Sequence, residues 1–185
     1  MNTGIIFPKD SEGLFNKNSQ RPYGGANVQL FQIARQMSKH DEIKLFTMIL
    51  DYDTVDFPES GRFNVVRTFK ETDSFFKKIF KTHIVIKKNK IECLIQRGLT
   101  LESCLMAFYC YLCRIKFVFM FAHDIETLGR YQSSRKKCPL FKMLLKFSYK
   151  LIVQNTKQFE NICNKTDKGK IKIIKKGLDL GRLQT

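Results

Sequence analysis

The sequence predicts an α/β fold: a mostly parallel sheet of about seven strands with helices on both faces. Short apolar runs alternate with longer stretches of helical periodicity along the whole chain. The runs are continuously apolar, as in Phe117-Val118-Phe119-Met120-Phe121-Ala122, so both faces of those strands must be covered. Of the 185 residues, 43% are hydrophobic and 17 are Phe, enough to bury a core in one domain. This composition excludes a wholly disordered chain, a collagen-like repeat and a small disulfide scaffold.

Taken in order, residues 4–7 form a first strand. Residues 8–22 are polar and read as a flexible stretch leading to Tyr23, Gly24 and Gly25. Over 26–39, Val28, Leu30, Phe31, Ile33, Ala34 and Met37 recur at helical spacing. Residues 43–50 are a strand ended by Asp51, Tyr52 and Asp53, and 64–68 a short one. Thr72 or Asp73 caps a helix over about 74–88. The second half repeats the alternation: strand 91–96 ending at Arg97-Gly98, apolar helix 100–113, strand 117–122 ending at His123-Asp124. Amphipathic helix 139–150, strand 151–154, helix 156–164 and strand 171–174 complete it. Strand–helix alternation of this kind gives right-handed crossovers and a parallel sheet.

Lysine and arginine number 33 against 17 acidic residues, a formal net charge of +16. Such an excess favours anionic partners: phosphorylated substrates, an anionic membrane surface or nucleic acid. The N-terminus lacks the basic region and long apolar run of a signal peptide. The most apolar stretch, 105–122, is interrupted by Arg114 and Lys116, so neither half reaches the roughly 20 residues that span a bilayer. The cytoplasmic side of a membrane is the expected location. The six cysteines, 93, 104, 110, 113, 138 and 163, sit mostly in apolar segments. Cys110 and Cys113 form a lone CxxC inside a helical run, which favours core packing over a metal or redox site. No metal site is expected.

In parallel sheets ligands bind beyond the carboxyl ends of the strands. The residues there are Gly24 and Gly25, Asp51 and Asp53, Arg97 and Gly98, His123 and Asp124, Asn155 and Thr156, Gly177 and Asp179. Gly24-Gly25 precedes a helix, where glycine lets a diphosphate approach the free N–H groups; a plain tight turn is the equal alternative. Neither a full GxGxxG nor a P-loop is present. His123, just past the most buried strand, is suited to bonding a substrate hydroxyl or assisting proton transfer. Asp124 either joins it or caps the next segment.

Two helices concentrate basic charge. In one, Phe75, Phe76, Phe80 and Ile79 form an apolar face and Lys77, Lys78 and Lys81 a basic one, followed by Lys87, Lys88 and Lys90. In the other, Lys142, Lys146 and Lys150 recur at i, i+4 spacing. A basic amphipathic helix can lie in an anionic membrane interface, or turn its apolar side to the core and its lysines to water. The first helix leaves both readings open; the second favours the core. No helix-turn-helix, RNP or zinc-finger pattern supports nucleic acid.

Four segments, in order, resemble family-four glycosyltransferases. Pro22-Tyr23-Gly24-Gly25-Ala26-Asn27-Val28-Gln29-Leu30 is similar to that family's first Gly-Gly loop and helix. Phe119-Met120-Phe121-Ala122-His123-Asp124 resembles its strand ending in His-Asp or His-Asn. Leu151-Ile152-Val153-Gln154-Asn155-Thr156 resembles the strand before its Ser/Thr segment, and Ile173 to Leu180 the stretch closing its N-terminal domain, although Lys175-Lys176 replaces the usual Pro-Asn. The resemblance implies the Rossmann-like, three-layer N-terminal half of a GT-B fold. It implies a retaining enzyme that transfers a sugar from a nucleotide-sugar to a polysaccharide or lipid-linked acceptor, without metal or cofactor.

By that analogy Gly24 and Gly25 face the donor diphosphate, with Arg97, Gly98 and Thr156 as further substrate or phosphate contacts. His123 and Asp124 are the catalytic candidates, and Phe75, Phe76, Lys77, Lys78, Phe80 and Lys81 the membrane contacts. Residues 1–180 would be the acceptor-side domain and 181–185 the start of a linker to a donor-binding domain, supplied in cis or in trans. The alternative is a non-catalytic basic α/β module that binds anionic lipid or nucleic acid.

Overall fold

The computed structural model describes residues 1–16, 18–51, 64–128 and 137–175. Seven parallel strands form one sheet in the order β3-β2-β1-β4-β5-β6-β7. They are β1 (Asn2–Ile6), β2 (Lys44–Ile49), β3 (Asn64–Arg67), β4 (Cys93–Arg97), β5 (Lys116–Met120), β6 (Lys150–Val153) and β7 (Ile171–Ile173). The helices are α1 (Glu12–Phe15), α2 (Gly25–Met37), α3 (Phe75–Lys88), α4 (Leu101–Leu112), α5 (Asp124–Thr127), α6 (Lys137–Phe147) and α7 (Thr156–Cys163). This is the Rossmann-like α/β fold that the alternation predicts. The strand order reverses between β1 and β4, which opens a crevice at the carboxyl ends of those two strands.

Period-two alternation divides the core between the faces of the sheet. On one face Leu94, Phe117, Phe119, Leu151 and Val153 pack with Ile86 of α3, Cys104, Ala107 and Cys110 of α4, Phe141 and Leu144 of α6 and Ile162 of α7. On the other, Ile5, Leu45, Ile49, Ile95 and Met120 pack with Phe15 of α1 and Leu30 and Ala34 of α2. The edges of these ring stacks are specific: Phe119 and Phe121 meet edge to face with centroids 5.0 Å apart.

The structure caps α3 at Ser74 rather than at Thr72 or Asp73, and it corrects two larger local expectations. Residues 8–22 are not a uniformly flexible stretch. A 3-10 turn (Lys9–Ser11) and the single turn of α1 bury Ser11, Phe15 and Asn16. Phe15 anchors them, packing edge to face on Phe7 with centroids 4.8 Å apart. The second correction concerns α3, where Ile79 does not share a face with Phe76 and Phe80. Thr82 and Ile86 are buried and Ile79 is half-buried, whereas Phe76, Phe80 and Ile84 are 81%, 63% and 45% exposed. The helix therefore carries two apolar stripes: one satisfied by the core, one turned to solvent.

Cys93, Cys104 and Cys110 are buried thiols, and Cys113, Cys138 and Cys163 are half-buried. Cys110 of the CxxC is part of the core. Burial pushes the Cys104 thiol from its ordinary 9.0 up to about 11, and burial pushes Cys110 up as well. The folded state therefore holds these protons after the unfolded chain has lost them, so this contribution to stability is present below pH about 9 and lost toward about 11. Urea unfolding across that range should show a falling midpoint. Cys104→Ala should flatten part of the fall; an unchanged slope would contradict the assignment.

Candidate functional site

The site is built where β4, β5 and β6 end and α2 begins. α2 starts with Gly24 as N-cap, so no cap side chain occupies its first-turn N–H groups. Gly24 has ordinary extended angles (φ −79°, ψ 159°), and a Cβ on Gly24 or Gly25 would meet nothing within 4 Å. Neither backbone strain nor packing within the described residues demands glycine there. What the two glycines leave is open space directly above helix N–H groups.

Two buried polar side chains lie at this helix end. Asn27, in the first turn of α2, is 3% exposed, and its Nδ2 has no hydrogen-bond partner among the described residues. Arg97, the last residue of β4, is 6% exposed. Its Nη1 donates to the Ala26 carbonyl at 3.2 Å, while its Nε has no partner among the described residues. Burial holds the guanidinium below its ordinary value, and nearby Glu126 opposes that shift. The result is a helix N-terminus with a buried cation and an unsatisfied amide beside it, an arrangement that favours an anion.

Arg97 leads directly into Gly98, whose φ of +88° lies in the region open to glycine. Gly98 N–H donates to the Met120 carbonyl at 3.1 Å, tying the end of β4 to the end of β5. Glu126 of α5 completes the tie. It is 7% exposed; its Oε1 accepts from Leu99 N–H at 3.0 Å and its Oε2 from Ala122 N–H at 2.8 Å. One carboxylate thus fastens the loops after β4 and β5, and its charge faces Arg97. Thr100 then starts α4 with a reciprocal capping box with Ser103.

His123 is exposed, at the N-cap position of α5. Asp124 beside it is half-buried and turned toward α7: its Oδ1 accepts from Asn155 Nδ2 at 3.0 Å and Gln158 Nε2 at 2.8 Å. Asn155 also caps α7 through Gln158 N–H at 2.8 Å, and Asn161 Nδ2 donates to Thr127 Oγ1 at 3.1 Å. Gln154 adds a bond to the Ala122 carbonyl. The Gly24-Gly25 turn, Arg97-Gly98, His123-Asp124 and Asn155 therefore belong to one connected edge.

Other predicted positions stand apart. Thr156 is exposed at the first position of α7. Asp51 sits at the end of β2, its carboxylate 3.8 Å from Arg67 of β3. On α3, Lys81 is paired with Asp73 at 2.6 Å and Lys78 lies over the Phe69 ring, leaving Phe76, Lys77 and Phe80 exposed. Asp53, Gly177, Asp179 and segment 181–185 lie outside the described residues, as does most of the fourth resembling segment. Sequence reasoning missed Asn27, Glu126 and Gln158. Asn27 was detectable as a polar residue in the first turn of a helix that opens on two glycines.

The clamp has a measurable consequence. Glu126→Ala leaves two buried N–H groups and the Arg97 charge uncompensated and should cost about 3 kcal/mol or more in urea unfolding. Glu126→Gln, which keeps acceptor oxygen, should cost less. A loss below about 0.5 kcal/mol for Glu126→Ala would remove the clamp from the account of stability.

No protein-family model matches the chain, and no curated protein sequence matches it. Solved structures do. UDP-GlcNAc 2-epimerase from Neisseria meningitidis, bound to UDP-GlcNAc, superposes with a TM-score of 0.60 at 11% identity over 94% of this chain and 45% of that one. Anabaena HepE, in complex with UDP and glucose, gives 0.64 at 13% identity over 97% of this chain and 45% of that one. UDP-GlcNAc 2-epimerase from Methanocaldococcus jannaschii gives 0.59 at 14% identity over 94% and 45%. The chain spans about 45% of the length of these structures. At such identities the likeness shows a shared fold, a Rossmann-like α/β sandwich.

Proposed function

We propose that the chain is the acceptor-side half of a retaining glycosyltransferase, which moves a sugar from a nucleotide-sugar to a polysaccharide or lipid-linked acceptor. The observation that carries the reading is the pair of buried, unpaired donors, Arg97 Nε and Asn27 Nδ2, beside the uncapped start of α2. They supply positive potential and hydrogen bonds where Gly24 and Gly25 leave room for a diphosphate. His123, exposed on the same edge, would contact hydroxyls of the reacting sugar. The first-turn amides of α2, Asn27 and Arg97 would neutralise charge growing on the leaving phosphate. This chemistry uses no metal in the proposal. A donor-binding domain, in cis or in trans, would hold the nucleotide, so the chain alone would not turn over.

The exposed stripe Phe76, Phe80 and Ile84, with Lys77 beside it, supports placement at the cytoplasmic face of an anionic membrane. The competing reading is a non-catalytic basic module for anionic lipid or nucleic acid, which the net charge of +16 also favours.

Joined to a donor-binding domain, the chain should transfer sugar from a nucleotide-sugar. His123→Ala should lower turnover by roughly 10²-fold. Gly25→Ala and Asn27→Leu should raise the donor KM by about tenfold while thermal unfolding stays unchanged. Full turnover in His123→Ala would remove that residue's role, and absence of transfer with any donor domain favours the non-catalytic module. Phe76→Ser with Phe80→Ser should reduce cosedimentation with phosphatidylglycerol vesicles at low salt; equal retention of the double variant would discard the membrane assignment.

A further inference from the structure

α4 is apolar on both sides. Cys104, Ala107 and Cys110 face the core and are buried. On the outer side Leu101, Leu105, Phe108 and Leu112 recur at i, i+4, i+7 and i+11, which keeps them on one stripe. Leu101 and Leu112 are 49% and 63% exposed; Phe108 and Tyr111 are exposed as well, and Leu105 is half-buried. A helix that is apolar all round is one with cover on every side, and the sheet covers α4 on one.

The stripe belongs to a broader face. α4 lies between α3 and α6: His83 Nδ1 of α3 is 2.7 Å from Tyr109 Oη, and Phe108 and Tyr111 pack on Phe147 of α6 with centroids 5.2 and 4.6 Å apart. The exposed Phe76, Phe80 and Ile84 of α3 are part of the same helical layer. Charge on this layer is almost all of one sign. α3 carries Lys77, Lys78, Lys81, Lys87 and Lys88, and α6 carries Lys142 and Lys146, against Glu102 in the first turn of α4. Lys81 is paired with Asp73. Past the C-terminal end of α4, Lys116 and Lys150 lie over the Tyr149 ring, 5.5 and 5.8 Å from its centroid, and Lys146 lies over Phe147 at 5.5 Å.

These features choose among covers. A second copy would set lysine against lysine across the same face. A partner's helix needs a groove, and the gap between α3 and α4 holds a cavity of about 80 Å³, lined in part by Gln96 of β4, far too small to seat one. Nucleic acid would use the lysines but leave Leu101 and Leu112 in water. Aliphatic and aromatic side chains standing out from neighbouring helices, with ammonium groups over the rings at one end, suit the boundary between headgroups and acyl chains of an anionic bilayer.

We propose that the outer stripe of α4 enters the acyl boundary of an anionic membrane together with that of α3, so that the chain docks with this helical layer flat on the bilayer. The proposal rests on the membrane placement of α3 and extends it to α4.

The chain contains no Trp, so Phe80→Trp, Phe108→Trp and Gln36→Trp each supply a single fluorescent reporter. Gln36 is exposed on α2, across the sheet. With phosphatidylglycerol vesicles whose acyl chains are brominated, the emission of Phe80→Trp and Phe108→Trp should fall about twofold or more, while that of Gln36→Trp holds. The triple variant Leu101→Ser, Phe108→Ser and Leu112→Ser should partition into phosphatidylglycerol vesicles roughly tenfold or more weakly than the parent chain. Its thermal midpoint should not fall, because the three side chains are exposed. Quenching of Phe80→Trp without Phe108→Trp, or undiminished partition of the triple variant, would overturn the proposal and leave α3 as the contact. Quenching of neither would remove the α3 placement as well. Equal quenching of Gln36→Trp would refute docking by this layer, and equal partition into phosphatidylcholine vesicles would refute an anionic target.

Discussion

The carboxyl edge of the sheet depends on one buried carboxylate. Parallel strands leave their last amides unpaired when neighbouring strands end at different heights, and each such amide must find an acceptor. Glu126 answers two of them at once, Leu99 N–H after β4 and Ala122 N–H after β5. Its negative charge also makes a buried Arg97 tolerable. Gly98 can then turn at positive φ, and Arg97 can extend toward α2 rather than fold back to solvent. His123 and Asp124 take their place at the start of the same short helix.

The polar groups of this edge fall into two kinds. Glu126, Asp124, Asn155 and Gln158 spend their hydrogen bonds on the chain itself, and these bonds hold α5 against α7. Arg97 Nε and Asn27 Nδ2 do not. A fold under selection for stability alone would lose such groups, because an unpaired buried donor costs about 1–3 kcal/mol. Beside a fully formed set of internal bonds, these two are the groups that the proposed diphosphate site would use.

The architecture was legible because it rests on local pattern. The continuously apolar segments around Phe117–Ala122 and the helical spacing from Val28 to Met37 each specify their element within a residue or two. Gly24, Gly25, Arg97, Gly98 and His123 were placed by one rule, that ligands gather at strand ends. Glu126 was not found because its bond to Leu99 reaches back 27 residues, and a mostly polar tetrad such as Asp124-Ile125-Glu126-Thr127 reads as a solvated turn. The 8–22 stretch was misread for a related reason. Its polar composition hides one anchor, Phe15, and burial of Ser11 and Asn16 follows from that anchor rather than from their own character. On α3, composition revealed an amphipathic helix but not that it had two apolar stripes, since spacing alone does not say which stripe meets the sheet.

The alternation of side chains along β4 makes that strand a partition wall. Gln96 and Arg97 are neighbours in sequence, yet one lines a mainly apolar cavity between α3 and α4 and the other reaches the first turn of α2. The two sides share a single peptide unit and no side chain. Each can be remodelled by substitution without disturbing the other, provided the strand keeps its register against β1 and β5. A single inserted residue in β4 ahead of Gln96 would reverse the faces that Gln96 and Arg97 serve, so the register of this strand is what the two sides have in common.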